Sequence, residues 1–154
     1  MTPYEEMVEA ASVAIKRWHV RDASARKFIS DLVDGFIEYC QMKPDLIRFS
    51  QWMPGEQVYR LESDKVIPMP FAVRYDPDKD EWVLVIHLTL GSGFQSSKMT
   101  IFIRVTEDSS RFTVKMGELP PRVLNLSVQS EKVELFADVV ASVVKNFQTQ
   151  KSFG

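Results

Sequence analysis

The chain holds a single cysteine, Cys40, so it has no internal disulfide and suits a reducing compartment. It has only two histidines, His19 and His87. Nucleophilic catalysis needs a base beside a Ser or Cys and a group that orients it. His87 falls in a strand-like run among Val85, Ile86 and Leu88, and His19 follows Trp18 at a helix end. Neither is tied by any motif to a nucleophile, and Cys40 reads as an inert helix residue. No stretch approaches the roughly 18 uninterrupted apolar residues of a membrane span. The start, "MTPYEEMVEA", is acidic and lacks a long apolar run, unlike a signal peptide. The expectation is a cytoplasmic protein without a membrane anchor. The net charge of −2 argues against a general nucleic-acid binder.

What is present is enough apolar sequence for one core. The 154 residues match a single ordinary domain. Thr2-Pro3-Tyr4-Glu5 opens a helix with a capping box and proline at its first turn. Tyr4, Met7, Val8, Ala11, Ala14, Ile15 and Trp18 then recur at three-four spacing. Asp22 or Ser24 predicts a second helix, with Ala25, Phe28, Ile29, Leu32, Phe36 and Tyr39 on its stripe and Pro44 past its end. Residues 44–65 fit two short strands around Pro54-Gly55 or a loop.

The clearest region is 66–128, an antiparallel meander. Pro68 and Pro70 confine its first strand to an edge or to a late start around Phe71. Asp76-Pro77-Asp78-Lys79 fits a type I turn. "WVLVIHLTL" at 82–90 is apolar at nearly every position, so both of its faces should be covered. Residues 99–106 and 111–116 alternate, "ELPPR" is a break, and "VLNLSV" fits a fifth strand. Ser130 is expected to cap a helix over 130–147 whose stripe is Val133, Phe136, Ala137, Val140, Val143, Val144 and Phe147, widened by Leu135 and Val139. Residues 148–154 read as a frayed tail. The predicted fold is α+β, one domain over 1–154: a helical pair in 1–43, a meander of four to six strands, and a long C-terminal helix on one sheet face. This order resembles, in outline, the helix-grip layout of lipid- and polyketide-binding proteins and the small acidic dimeric chaperones of type III secretion. Each resemblance concerns architecture, and fold alone does not assign function.

Two motif-like stretches fail their templates. "DPDKDE" at 76–81 begins like a calcium loop, but Glu81 and His87 stand where Gly and a bidentate Glu are needed. "GSGFQSSK" at 91–98 lacks the Gly-Lys-Ser/Thr order of a phosphate loop and leads into a strand. No cofactor or metal is expected, and an enzyme is the less favoured reading.

Three residue groups remain as candidate sites. Val83, Val85, Phe102, Arg74 and Arg104 share the sheet face opposite the core. Such a mixed apolar and basic face predicts coverage by a second copy, another protein, or residues 46–61 of the same chain. His19, Arg21, Arg26 and Lys27 would crowd the start of the second helix, either as an anion site or, the favoured reading, as a solvated basic link whose long side chains turn outward. Trp18, Trp52, Trp82 and Phe94 would wall a pocket for a small apolar ligand between sheet and C-terminal helix. The expected function is a non-enzymatic interaction or accessory protein, chaperone- or assembly-like, dimeric through the sheet face. The alternative is a small apolar ligand binder. Single-stranded nucleic acid on Phe102, Arg74 and Arg104 is a third reading, disfavoured by the net charge.

Overall fold

A computed structural model describes residues 1–53, 58–60, 68–91 and 93–150. The expected turn at Pro54-Gly55 and the end of the tail lie outside the described residues. The fold is α+β. A long helix α1 (Pro3–Cys40) is followed by strands β1 (Ile47–Met53) and β2 (Val58–Arg60) and a single helical turn α2 (Met69–Ala72). Strands β3 (Arg74–Asp76), β4 (Glu81–Leu90), β5 (Ser97–Asp108), β6 (Arg111–Met116) and β7 (Arg122–Leu124) come next, and helix α3 (Gln129–Thr149) closes the chain. No described helix is long and apolar enough to cross a membrane.

One N-terminal helix stands where two were expected. Thr2 and Glu5 form the capping box, and the helix ends where Gln41 turns left-handed at φ 54°. The start signal at Asp22 is not used as a cap. Its carboxylate instead accepts from Trp82 Nε1 (2.8 Å) and Arg26 Nε (3.0 Å). Residues 19–27 contain no Gly or Pro, so no strong breaker interrupts the backbone ladder. At 1.5 Å per residue the helix is about 57 Å long. Only its second part meets the body: Ala25, Phe28, Ile29, Leu32, Val33 and Phe36 are buried, whereas residues 3–17 are exposed.

All strand pairs are antiparallel, in the order β2-β1-β4-β5-β6-β7, with β3 also on β4. β1 and β3 share one edge of β4 end to end. Ile47–Ser50 pair with Val85–Leu88, and Arg74–Asp76 pair with Glu81–Val83. After Ser50 the strand leaves β4 and pairs with β2. Residues 69–72 turn helically where a strand start was expected, and Arg26 Nη1 holds that turn by donating to the carbonyls of Pro70 (3.3 Å) and Val73 (2.8 Å).

The main core lies between one sheet face and the helices. Trp82, Leu84, Ile86 and Leu88 of β4 point into it, with Ile101, Ile103 and Val105 of β5 and Val114 and Met116 of β6. α3 starts at Gln129 without a side-chain cap, not behind Ser130. It buries Leu135, Phe136 and Val139, whereas Val133, Val140 and Val144 are exposed. The buried stripe is therefore rotated from the expected one. Phe136 sets that rotation by packing on Phe36 (5.6 Å between ring centroids) and Tyr39 (5.7 Å) of α1.

Candidate interaction site

The face opposite the core carries a second, smaller cluster. Val83 and Val85 are fully buried there beneath Trp52, with Phe102 packed alongside. The cover comes from β1: on leaving β4 it lays the Trp52 indole over the two valines. Trp52 and Phe102 meet edge to face at 5.7 Å. The Arg104 guanidinium sits 5.3 Å from the Trp52 ring and 5.5 Å from Phe102, and its Nη1 pairs with Glu81 Oε1 at 2.9 Å. Arg74 lies across from Val83 on the same face. The five residues expected to share this face are brought together, and residues of β1 cover part of their apolar surface.

The same face holds a polar trio. His87 Nε2 lies 2.6 Å from Ser50 Oγ, and its Nδ1 lies 3.1 Å from Thr100 Oγ1. A serine beside a histidine has the reach of a nucleophile and its base. Ser50 is completely buried, however, so no substrate carbonyl can approach it. The pair instead satisfies polar groups that burial would leave unpaired. Burial, with Lys98 adding to it, holds the His87 imidazole below its ordinary value, about 6.5 for a free histidine. As pH falls below about 6.5 the unfolded chain gains a proton that the folded chain refuses, so stability falls until the pH drops past the folded value. Thermal melts at a series of pH values are expected to show this loss in the wild type and a flatter acid limb in His87→Gln. Equal slopes in the two proteins would contradict it.

The other two groups fare differently. Because α1 is continuous, Arg26 and Lys27 lie inside a helix and face no free N-terminus. Arg21 makes a two-point pair with Asp80 (2.7 Å for both bonds) and also reaches Glu107. Arg26 pairs with Asp22 and Lys27 with Asp31, one turn apart, while His19 is exposed. Three of the four, Arg21, Arg26 and Lys27, are thus paired with carboxylates, and the free helix N-terminus on which an anion site was expected is not there. Asp80, from the failed calcium loop, is the carboxylate that Arg21 holds below the usual range. Trp18 and Trp82 stack at 5.9 Å on the core side. Trp52 lies on the opposite face, and Phe94 is fully exposed beyond β4. The four do not wall one pocket. Burial pushes the Cys40 thiol up, away from reactivity. Among the described residues no three His, Cys, Asp or Glu side chains gather for a metal.

One feature escaped the residue-by-residue reading. β5 is a twelve-residue strand, but β6 pairs only with Ile103–Asp108. Gly117, at φ 63°, gives the last bond, N–H to Phe102 O at 2.9 Å, and the chain then leaves the sheet. A positive φ is easy for glycine and strained for most other residues. Ser97–Ile101 are therefore paired with β4 on one side and with no described strand on the other. Alternate residues of a strand bond to opposite sides. The Phe102 carbonyl fixes the parity, so Lys98 and Thr100 aim their N–H and C=O groups outward. A cleft of about 370 Å³ runs along this edge, floored by Met99, Ile101 and Met116 and walled by Val139, Ser142 and Val143 of α3. Arg104 and Lys115 form its far lip, with one acid, Glu118, beside them. The sequence signal was the length mismatch between the two alternating runs, followed by Gly117 and the Pro120-Pro121 break. Comparison of the chain with protein-family models, curated proteins and solved structures finds no match in any of the three.

Proposed function

We propose that this protein is a non-enzymatic interaction module that takes up an extended segment of a partner protein along the Ser97–Ile101 edge of β5. The observation that carries the reading is the outward backbone of Lys98 and Thr100, which has no pairing strand among the described residues. Five strand residues offer an edge of about 17 Å. An added strand satisfies these groups, which is the chemistry of β-augmentation. Strand alternation then sets the partner's pattern. Side chains on one side of the added strand meet Met99, Ile101 and Val143 and are best apolar. Those on the other side meet Lys98, Arg104 and Lys115 and are best acidic. The partner contact so described includes Phe102 and Arg104, two members of the sheet-face group.

The apolar floor of the same cleft also favours a small apolar ligand, and a backbone substitution separates the two readings. Linear peptides selected from a displayed library against the full chain are expected to alternate apolar and acidic residues. Thr100→Pro removes one outward N–H while leaving the ladder to β4 in place, as proline allows on an edge strand. It is expected to weaken the selected peptides at least tenfold, about 1.4 kcal/mol, in fluorescence anisotropy. Lys98→Glu with Lys115→Glu is expected to reverse the acidic preference. Peptides that bind the proline variant undiminished, or a library that yields no enriched peptide, would overturn the reading. Retention of an apolar dye by the proline variant would favour the small ligand.

A further inference from the structure

We propose that the second sheet face holds a seat for a carboxylate at Trp52, Arg104 and Lys115, filled by an acidic side chain of the protein partner. The seat deepens the reading of the β5 edge and rests on it for the nature of the partner. Trp52 is 7 % exposed, and among the described residues its Nε1 is the buried side-chain nitrogen or oxygen that lacks a hydrogen-bond partner. Buried donors are nearly always bonded, and an unpaired one bears the cost of its lost hydration. Trp82, the other buried indole, follows the rule by donating to Asp22. A leucine or phenylalanine on β1 would cover Val83 and Val85 without that cost. A donor in this place calls for an acceptor that the free chain does not supply.

Charge names the acceptor. The Arg104 guanidinium lies 5.3 Å from the Trp52 ring and gives only Nη1 to Glu81, which leaves it further N–H groups. Lys115 stands directly across from Arg104 in the ladder, is exposed, and has no ion pair among the described residues. Like charges set opposite each other repel, and an anion between them turns that repulsion into attraction. Arg74 lies on the same row, across Val83. The acids of this face are engaged: Glu81 with Arg104, Asp76 with the Asp78 N–H, and Asp108, at the hairpin end, with Ser109. Glu118 lies beyond Gly117 in the adjoining cleft. That cleft reaches the seat, because Phe102, Arg104 and Lys115 line it. The Arg104 side chain, 25 % exposed, covers both rings and is the group that moves aside when an acceptor reaches the indole nitrogen. A carboxylate has an oxygen for each donor and takes the guanidinium and the indole N–H together.

Proton–nitrogen NMR of the full chain reads the indole N–H of each tryptophan, with Trp52 assigned by its loss in Trp52→Phe. Acetyl-glutamate methylamide at millimolar concentration is expected to move the Trp52 proton downfield, the direction of hydrogen-bond formation, and to leave that of Trp82 in place. Acetyl-glutamine methylamide, of the same shape without the charge, is expected to move neither at equal chloride. Lys115→Gln changes an exposed residue and should raise the Kd of the glutamate probe roughly threefold, the scale of an exposed ion pair. Arg104→Lys keeps a cation for Glu81 but loses the planar fork, and should raise it further. Thr100→Pro leaves the seat intact, so the shift should persist there although the selected peptides are weakened. Peptides that ignore Thr100→Pro overturn strand addition and not the carboxylate seat. No shift of the Trp52 proton with the glutamate probe overturns the seat. So does an equal shift with the glutamine probe, or an affinity unchanged in both cation variants.

Discussion

A chain ended at Val128 is expected to show no cooperative thermal transition and to aggregate. α3 contributes Leu135, Phe136 and Val139 to the core, each no more than 3 % exposed. Full burial of such a side chain is worth about 1.5–3 kcal/mol, so the three supply about 4.5–9 kcal/mol, close to the whole net stability of an ordinary domain. The loss does not end with the helix. Phe36, Ile101, Met116 and Leu124, now nearly dry, would face water on a sheet whose Ser97–Ile101 edge has no pairing strand among the described residues. Arg122 would also lose its ion pair with Asp138. Scanning calorimetry of the truncated chain checks this. A soluble product with a sharp melt would mean that α1 and the sheet close the core by themselves.

Trp82→Ala is expected to cost about 3–5 kcal/mol, the range for removing a large aromatic from a packed core. At roughly 2–4 °C per kcal/mol for a domain of this size, that lowers Tm by about 6–20 °C. Trp82 is completely buried and does several jobs at once. It stacks on Trp18, packs on Tyr75 at 4.9 Å, lies 5.1 Å under the Arg21 guanidinium and donates to Asp22. These contacts fasten the middle of α1 to the end of β4. Their loss also leaves a half-buried carboxylate with Arg26 as its remaining partner, and an unpaired buried acceptor adds its own penalty. Trp82→Phe keeps most of the ring contacts and loses the N–H, so its Tm should fall between the two. Equal melting of the alanine variant and wild type would show that α1 is held elsewhere.

How much of this was legible in the sequence depends on the range of the interactions involved. The expectation that β4 is covered on both faces followed from apolar residues at both parities of 82–88. Trp82, Leu84 and Ile86 do point into one core while Val83 and Val85 point into the other. The turn after Asp76 was legible because aspartate bonds its own backbone: Asp76 Oδ1 accepts from Asp78 N–H at 3.0 Å. The two-residue hairpin at Ser109 and Ser110 joins strands whose alternation was plain. In the candidate site, the grouping of Val83, Val85, Phe102, Arg74 and Arg104 needed only strand periodicity.

The misread features were those in which a distant residue outbid a local signal. Asp22 carries the local mark of a helix start, but the Trp82 indole, sixty residues away, takes its carboxylate and the helix runs on. The apolar positions of α3 allow two stripes, and only Phe36 and Tyr39 of α1 determine that Leu135 and Val139 turn inward while Val133 and Val140 stay in water. Cover of the second sheet face depends on where β1 leaves β4, a matter of pairing between strands far apart in the chain. That no described strand pairs with Ser97–Ile101 on the outer side of β5 depends on the same kind of pairing. Sequence by itself determined the local elements and the parity of each strand, because turns, caps and periodicity act over a few residues. Tertiary structure alone decided which faces and edges remain available, because that depends on which distant partners each element finds.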